Sequence, residues 1–172
     1  MERPGLGFGF DAKTEDYKVV RVLYSHDGDY NTDNYKIYQG KDIRTVSSES
    51  WRISESTVDG VVSKNHTCAA EIHGALHFKA KRLMERDQKL RLIMSFDLET
   101  ETFCDIMLPD EFLASENERS WQLSVLHECL SLVVHHQNGQ DGTSMHVWVM
   151  KEYGVTNSWT KLYALLVLQV FI

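Results

Sequence analysis

The chain has 172 residues, 42% apolar and 25% charged, which fits one ordinary globular domain with a sizeable core and excludes a disordered or fibrous chain. Its formal charge of −7 repels phosphate backbones, so neither nucleic acid nor an anionic membrane is expected as a partner. Cys68, Cys104 and Cys129 are odd in number and far apart, which suits neither a disulfide framework nor a zinc site. With no apolar run near Met1 to act as a secretion signal, a reducing compartment, cytoplasmic or nuclear, is expected.

Taken in chain order, the apolar periodicity predicts strands almost throughout. Tyr17 to Tyr24 is the first β-rich run, and Ile72 to Phe78 the next. Lys79 to Lys89 is rich in helix-forming residues and is read as a long charged turn. From Leu90 to Leu98 the even positions are all large and apolar while most odd ones are polar, the period of a half-buried strand. Leu130 to Val134 and His146 to Met150 follow, each bounded by Gly, Asn, Asp or Ser. The apolar run from Leu162 to Ile172 is far shorter than the ~20 residues that span a bilayer and reads as a buried strand or a misread end.

Four segments share one form: strand, short polar turn, aromatic residue, strand. They are Phe10 to Tyr17, Val46 to Trp51, Phe96 to Phe103, and Val149 to Trp159. Trp51 and Phe103 lie 52 residues apart and Phe103 and Trp159 lie 56 apart, near the ~50-residue period of kelch-type blades, although Tyr17 and Trp51 are separated by only 34. An aromatic after each turn would seal neighbouring blades against one another. The expected class is therefore all-β, a partial kelch-like β-propeller of repeated antiparallel hairpins.

Catalytic and metal chemistry find little support. His73 and His77 alternate with apolar residues as on a strand, where about 3.3 Å per residue holds them too far apart to share an ion. His127-Glu128 lacks the second histidine of a zincin, and His135-His136 would point to opposite faces. Gly5-Leu6-Gly7-Phe8-Gly9 lacks phosphate-loop spacing and leads into a strand. Glu99 and Glu101 are expected on a solvated turn, ordinary and ionised. No nucleophile elbow is present. The basic residues Lys79, Lys81, Arg82, Arg86, Lys89 and Arg91 are diluted by Glu85 and Asp87. No enzyme, cofactor or metal site is expected.

Gly7-Phe8-Gly9-Phe10-Asp11 followed by Asp16-Tyr17-Lys18, then Trp51, Gly74, Phe96-Asp97 and Pro109, resembles the F-box-associated domain of plant F-box proteins in order and spacing. The most specific stretch is Trp148-Val149-Met150-Lys151-Glu152-Tyr153-Gly154-Val155 with Trp159. The resemblance runs to Tyr163, so residues 1–163 are expected to form the propeller-like domain and 164–172 an atypical apolar tail. It implies a non-catalytic substrate-recognition module of a ubiquitin ligase. In such proteins an F-box docks on a Skp-type adaptor of a cullin complex while this part holds a target protein.

The F-box itself and the strands that usually precede the signature are not in the sequence, and a truncated transcript is one expectation for both ends. An open ring with unpaired strand edges would then be poorly soluble alone. Target contacts are expected in the loops 26–34, 111–119 and 136–142. A lectin-like module with aromatic sugar platforms and a decoy that holds targets without delivering them are the alternatives.

Overall fold

The computed structural model describes residues 5–23, 40–45, 51–53, 61–62, 70–84, 88–114, 120–137 and 143–167. Thirteen strands, one short α-helix and one turn of 3-10 helix (Thr156–Ser158) are present among them. The chain divides into two compact units, residues 1–105 and 106–172.

The first unit holds two antiparallel sheets. In the first, β1 (Gly5–Asp11), β2 (Asp16–Leu23), β3 (Gly40–Thr45) and β4 (Arg52–Ile53) lie in sequence order. β1 alternates buried and exposed along its whole length, with Gly5, Gly7 and Gly9 inward and Leu6, Phe8 and Phe10 outward. Its partner β2 turns Lys18, Val20 and Val22 inward, as the period of two requires.

The second sheet runs β5 (Val61–Val62), β7 (Ala75–Leu83), β8 (Lys89–Asp97) and β9 (Phe103–Met107), with β6 (Ala70–Ile72) also on β7. Leu76, Phe78, Leu92, Met94 and Phe96 are all but inaccessible and form the centre of this unit. The two sheets approach closely because β1 presents only glycines on its inner face ahead of Asp11. A Cβ built on Gly9 would lie 2.7 Å from Leu98 Cδ1 and 3.1 Å from Leu76 Cδ2.

The second unit is a third sheet, β10 (Trp121–Leu126), β11 (Cys129–Gln137), β12 (Thr143–Met150) and β13 (Trp159–Val167), again in sequence order. Its core comes from Leu123, Leu130, Leu132, Val134 and the run Val147 to Met150. Between Val147 and Trp148 the register with β13 shifts, leaving Leu162 as the extra residue of a bulge. The helix α1 (Asp110–Leu113) starts behind Pro109, carries two acidic residues in its first turn, and buries Phe112 against Trp121.

The all-β, propeller-like class expected from the sequence is the class observed. Three local expectations are corrected. Ile72 to Phe78 is not one strand, because His73 and Gly74, both at positive φ, make a two-residue hairpin turn. His73 therefore sits in a turn and not on a strand. Lys79 to Lys89 is not a long turn, because β7 continues to Leu83 and β8 restarts at Lys89, with Leu83 and Lys89 in register. Backbone pairing overrides helix propensity there. The loop at 111–119 begins with α1, whereas the loop at 26–34 and the repeat segment from Val46 to Ser50 lie outside the described residues.

Candidate functional site

The inner face of the first sheet holds a charged cluster. Lys18 on β2 is 3% exposed, and its Nζ lies 2.6 Å from Asp11 Oδ2, 2.9 Å from Glu101 Oε1 and 2.5 Å from the carbonyl oxygen of Leu98. A lysine fits at this core position only because three oxygens replace its water. Arg52 on β4 pairs with the same oxygen of Glu101. The cluster thereby ties the first sheet to the turn between β8 and β9.

Electrostatics agree with this geometry. Burial alone would raise the Asp11 carboxyl, but hydrogen bonds from Lys18, the Lys13 amide and Thr14 outweigh it and hold the pKa at about 2. Glu101 is likewise lowered, since Arg52 and Lys18 overcome its burial. Lys18 is raised, its burial being outweighed by Asp11 and Glu101. The expectation that Glu101 is a solvated turn residue is thus corrected. Glu99 beside it does face solvent, where it pairs with Lys13 at 3.1 Å.

Two turns in this unit are built alike. Asp11 accepts hydrogen bonds from the Lys13 amide and the Thr14 hydroxyl, and Asp97 accepts them from the amides of Glu99 and Thr100 and from the Thr100 hydroxyl. Each turn closes with a glutamate at positive φ, Glu15 at 51° and Glu101 at 56°. Aromatic rings flank both: Phe10 meets Tyr17 at 5.1 Å between centroids, and Phe96 meets Phe103 at 4.8 Å. The sequence repeat of these two segments is therefore a structural one.

Exposure separates the two turns. Phe96 is fully buried, whereas Phe10 is 41%, Tyr17 47% and Phe8 55% exposed. Phe8 also stacks on Tyr17 with rings 3° from parallel. Leu6 extends the strip, and Trp51 lies on the same face with the Arg21 guanidinium 4.7 Å above its ring. Half-exposed aromatics in a row mark a contact surface more than a solvated face.

In the second unit the turn 151–158 is held from within. Ser158 Oγ accepts from the Glu152 amide and donates to the Glu152 carbonyl, and the Gly154 amide points at Met150 Sδ, 3.1 Å away. Gly154 takes φ 79°, where a side chain would be strained. Tyr153 and Val155 project from this rigid turn. Trp159 Nε1 donates to the Met107 carbonyl, and Lys161 lies over the Trp148 ring and pairs with Glu111.

A family model described as the F-box-associated β-propeller domain matches residues 1–171. The chain belongs to this family. It is 33% identical to the Arabidopsis thaliana F-box protein At3g07870 over 93% of its own length and 39% of the relative's. Against the F-box/kelch-repeat protein At3g23880 of the same plant it is 30% identical over 92% of the chain and 39% of the relative, and against the F-box protein CPR1 it is 28% identical over 91% and 39%. It thus spans about two fifths of the length of the curated relatives it matches. No solved structure matches it.

The F-box-associated signature resolves into distinct physical roles. Gly7 and Gly9 let β1 approach the second sheet, and Asp11 and Lys18 meet in the buried cluster. Asp97 caps a turn, Gly74 supplies a positive φ of 70°, and Asp16 accepts from the Tyr17 amide. Phe96, Met150, Trp148 and Trp159 are core, while Phe8, Phe10, Tyr17 and Trp51 are the exposed strip. Sequence reasoning missed Glu101 and Arg52. The signal for them was Lys18 itself, a lysine on the same strand face as Val20 and Val22 that demands a carboxylate.

Among the described residues no group of three potential metal ligands assembles, and no helix is long and apolar enough to cross a membrane. His77 is buried with Nδ1 3.2 Å from the Ala70 carbonyl, and burial holds its pKa at about 4. It is a neutral core residue at ordinary pH. His135 and His136 lie within β11, and His127-Glu128 is a two-residue turn with both φ positive.

Proposed function

We propose that this F-box-associated domain holds a target protein for ubiquitylation and does no chemistry itself. The match to the family over residues 1–171 supports this reading, together with relatives that are F-box proteins. Connections such as 26–34, 111–119 and 136–142 supply the varied contacts. A Skp-type adaptor and a cullin would engage through an F-box, and the reaction would take place in the cytoplasm or nucleus.

The test joins the chain to an F-box, expresses the fusion in plant cells, and compares the proteome with cells carrying the F-box alone. At least one protein should fall in abundance only with the fusion and recover on proteasome inhibition. No such protein, with the fusion folded and bound to the adaptor, would contradict the reading.

A further inference from the structure

Strand alternation sorts the basic residues of the second sheet in a way that their order in the sequence does not. His77, Lys79 and Lys81 fall on one face of β7, and Leu76, Phe78, Ala80 and Arg82 on the other. In the register with β8, Lys79 stands opposite Ile93 and Lys81 directly opposite Arg91. On the other side of β7, Lys81 stands opposite Val61 of β5. Glu85 and Asp87, which dilute the cluster in the sequence, belong to the connection 85–87, outside the described residues.

Like charges directly across a sheet repel and destabilise it. The surroundings strengthen that repulsion, because Ile93 and His77 on the same face are inaccessible to water and His77 is neutral, with a pKa of about 4. Lys79 is half-buried beside them, and burial, followed by the charge of Lys81, lowers its ammonium from the usual range. The opposite face shows the ordinary solution, with Arg82 2.5 Å from the Asp105 carboxylate of β9. Residues 79–91 carry six cations and two carboxylates, in a chain whose net charge is −7.

We propose that this face of the β7–β8 hairpin is a docking site for an acidic protein segment, extended, that sets carboxylates at alternate positions against Lys79, Lys81 and Arg91. Spacing and charge select that occupant. Lys79 and Lys81 are two residues apart on a strand, about 6.6 Å, which is also the interval between alternate side chains of an extended peptide. The Arg91 fork can take a carboxylate through two parallel hydrogen bonds. Nucleic acid fits less well, because its run of phosphates would meet a chain that is negative in sum, and no Phe, Tyr or Trp of β7 or β8 lies on this face to stack a base. It is the summed charge of the face, and not one side chain lacking a contact, that the acidic segment answers. This docking differs from the loop contacts assigned to the target and does not depend on ubiquitylation.

Fluorescence anisotropy of short labelled peptides added to the full chain tests this. The probe alternates glutamate and threonine; one control holds the same residues with the glutamates in a single block, and another is an oligothymidylate of the same charge. The alternating peptide is expected to bind, with affinity falling about tenfold from about 0.05 M to about 0.5 M salt. Lys81→Gln and Arg91→Gln should each weaken it about fivefold or more, whereas Lys13→Gln, which removes the same charge beside Glu99 beyond the far end of β8, should change it less than about twofold. Both variants should keep the thermal midpoint, since each removes one of two facing like charges; one that does not is replaced by Lys79→Gln. No binding to the folded chain overturns the proposal. So do equal losses with Lys13→Gln and Lys81→Gln, which would mean long-range attraction alone, equal binding of the block peptide, or tighter binding of the oligothymidylate.

Discussion

The two faces of the first sheet depart from the usual allocation of polar and apolar groups. Beside Val20, Val22 and Ile43 its inner face carries glycines and a buried lysine among carboxylates, and its outer face carries Phe8, Phe10 and Tyr17 half exposed to water. A free-standing domain would place these the other way round. The inner face is tolerable because every charge there is partnered, and on the outer face the rings of Phe8 and Phe10 each pack on Tyr17. Burial in this molecule thus follows the stacking of sheets more than the boundary with water.

Breaking the inner face should have the largest effect. Lys18→Ala leaves Asp11 and Glu101 buried without their cation and should cost about 3–5 kcal/mol in urea unfolding, while Lys13→Ala, in an exposed pair with Glu99, should cost under about 0.5 kcal/mol. Similar losses for both would mean the cluster is not a tie. Gly9→Val comes next, at about 1–3 kcal/mol, because even its Cβ meets Leu98 and Leu76. A neutral Gly9→Val would show that the sheets are not in close contact.

Acid should expose a second weakness of this unit. Burial holds His77 at about 4 in the folded state against 6.5 for an ordinary histidine, so its neutral form belongs to the fold. Its contribution is complete above pH 6.5 and is lost as the pH falls toward 4; that of Asp11 is complete above about 4 and fades toward 2. Unfolding free energy measured against pH should decline between 6.5 and 4, and His77→Leu should flatten that part of the curve. A slope unchanged in the variant would assign the loss to other groups.

The smallest effect sharpens the rule that buried polar groups here are partnered. Ser131 Oγ on β11 is buried with no hydrogen bond to the described residues, so Ser131→Ala should stabilise the second unit by up to about 1 kcal/mol. A loss of stability measured by thermal unfolding would reveal a partner.

Much of this was legible in the chain. Alternation at Leu90 to Leu98 located β8, and the likeness of Phe10 to Tyr17 with Phe96 to Phe103 located two turns of one design. What the sequence concealed was tertiary. Nothing local tells which of Glu99 and Glu101 reaches Lys18, since one residue of displacement on a turn decides between solvent and core. Lys79 to Leu83 hid in a strand because its helix-forming residues are held by pairing with β8. Nor does alternation say whether the outward face of β1 meets water or another sheet.

That last distinction is tested most directly by truncating the two equivalent rings in the chain as it stands. Phe96→Ala should cost about 3–5 kcal/mol by urea unfolding, the usual loss for a fully buried ring, and Phe10→Ala under about 1 kcal/mol. Equal costs would contradict the account, because they would mean that the outer face of the first sheet is already covered.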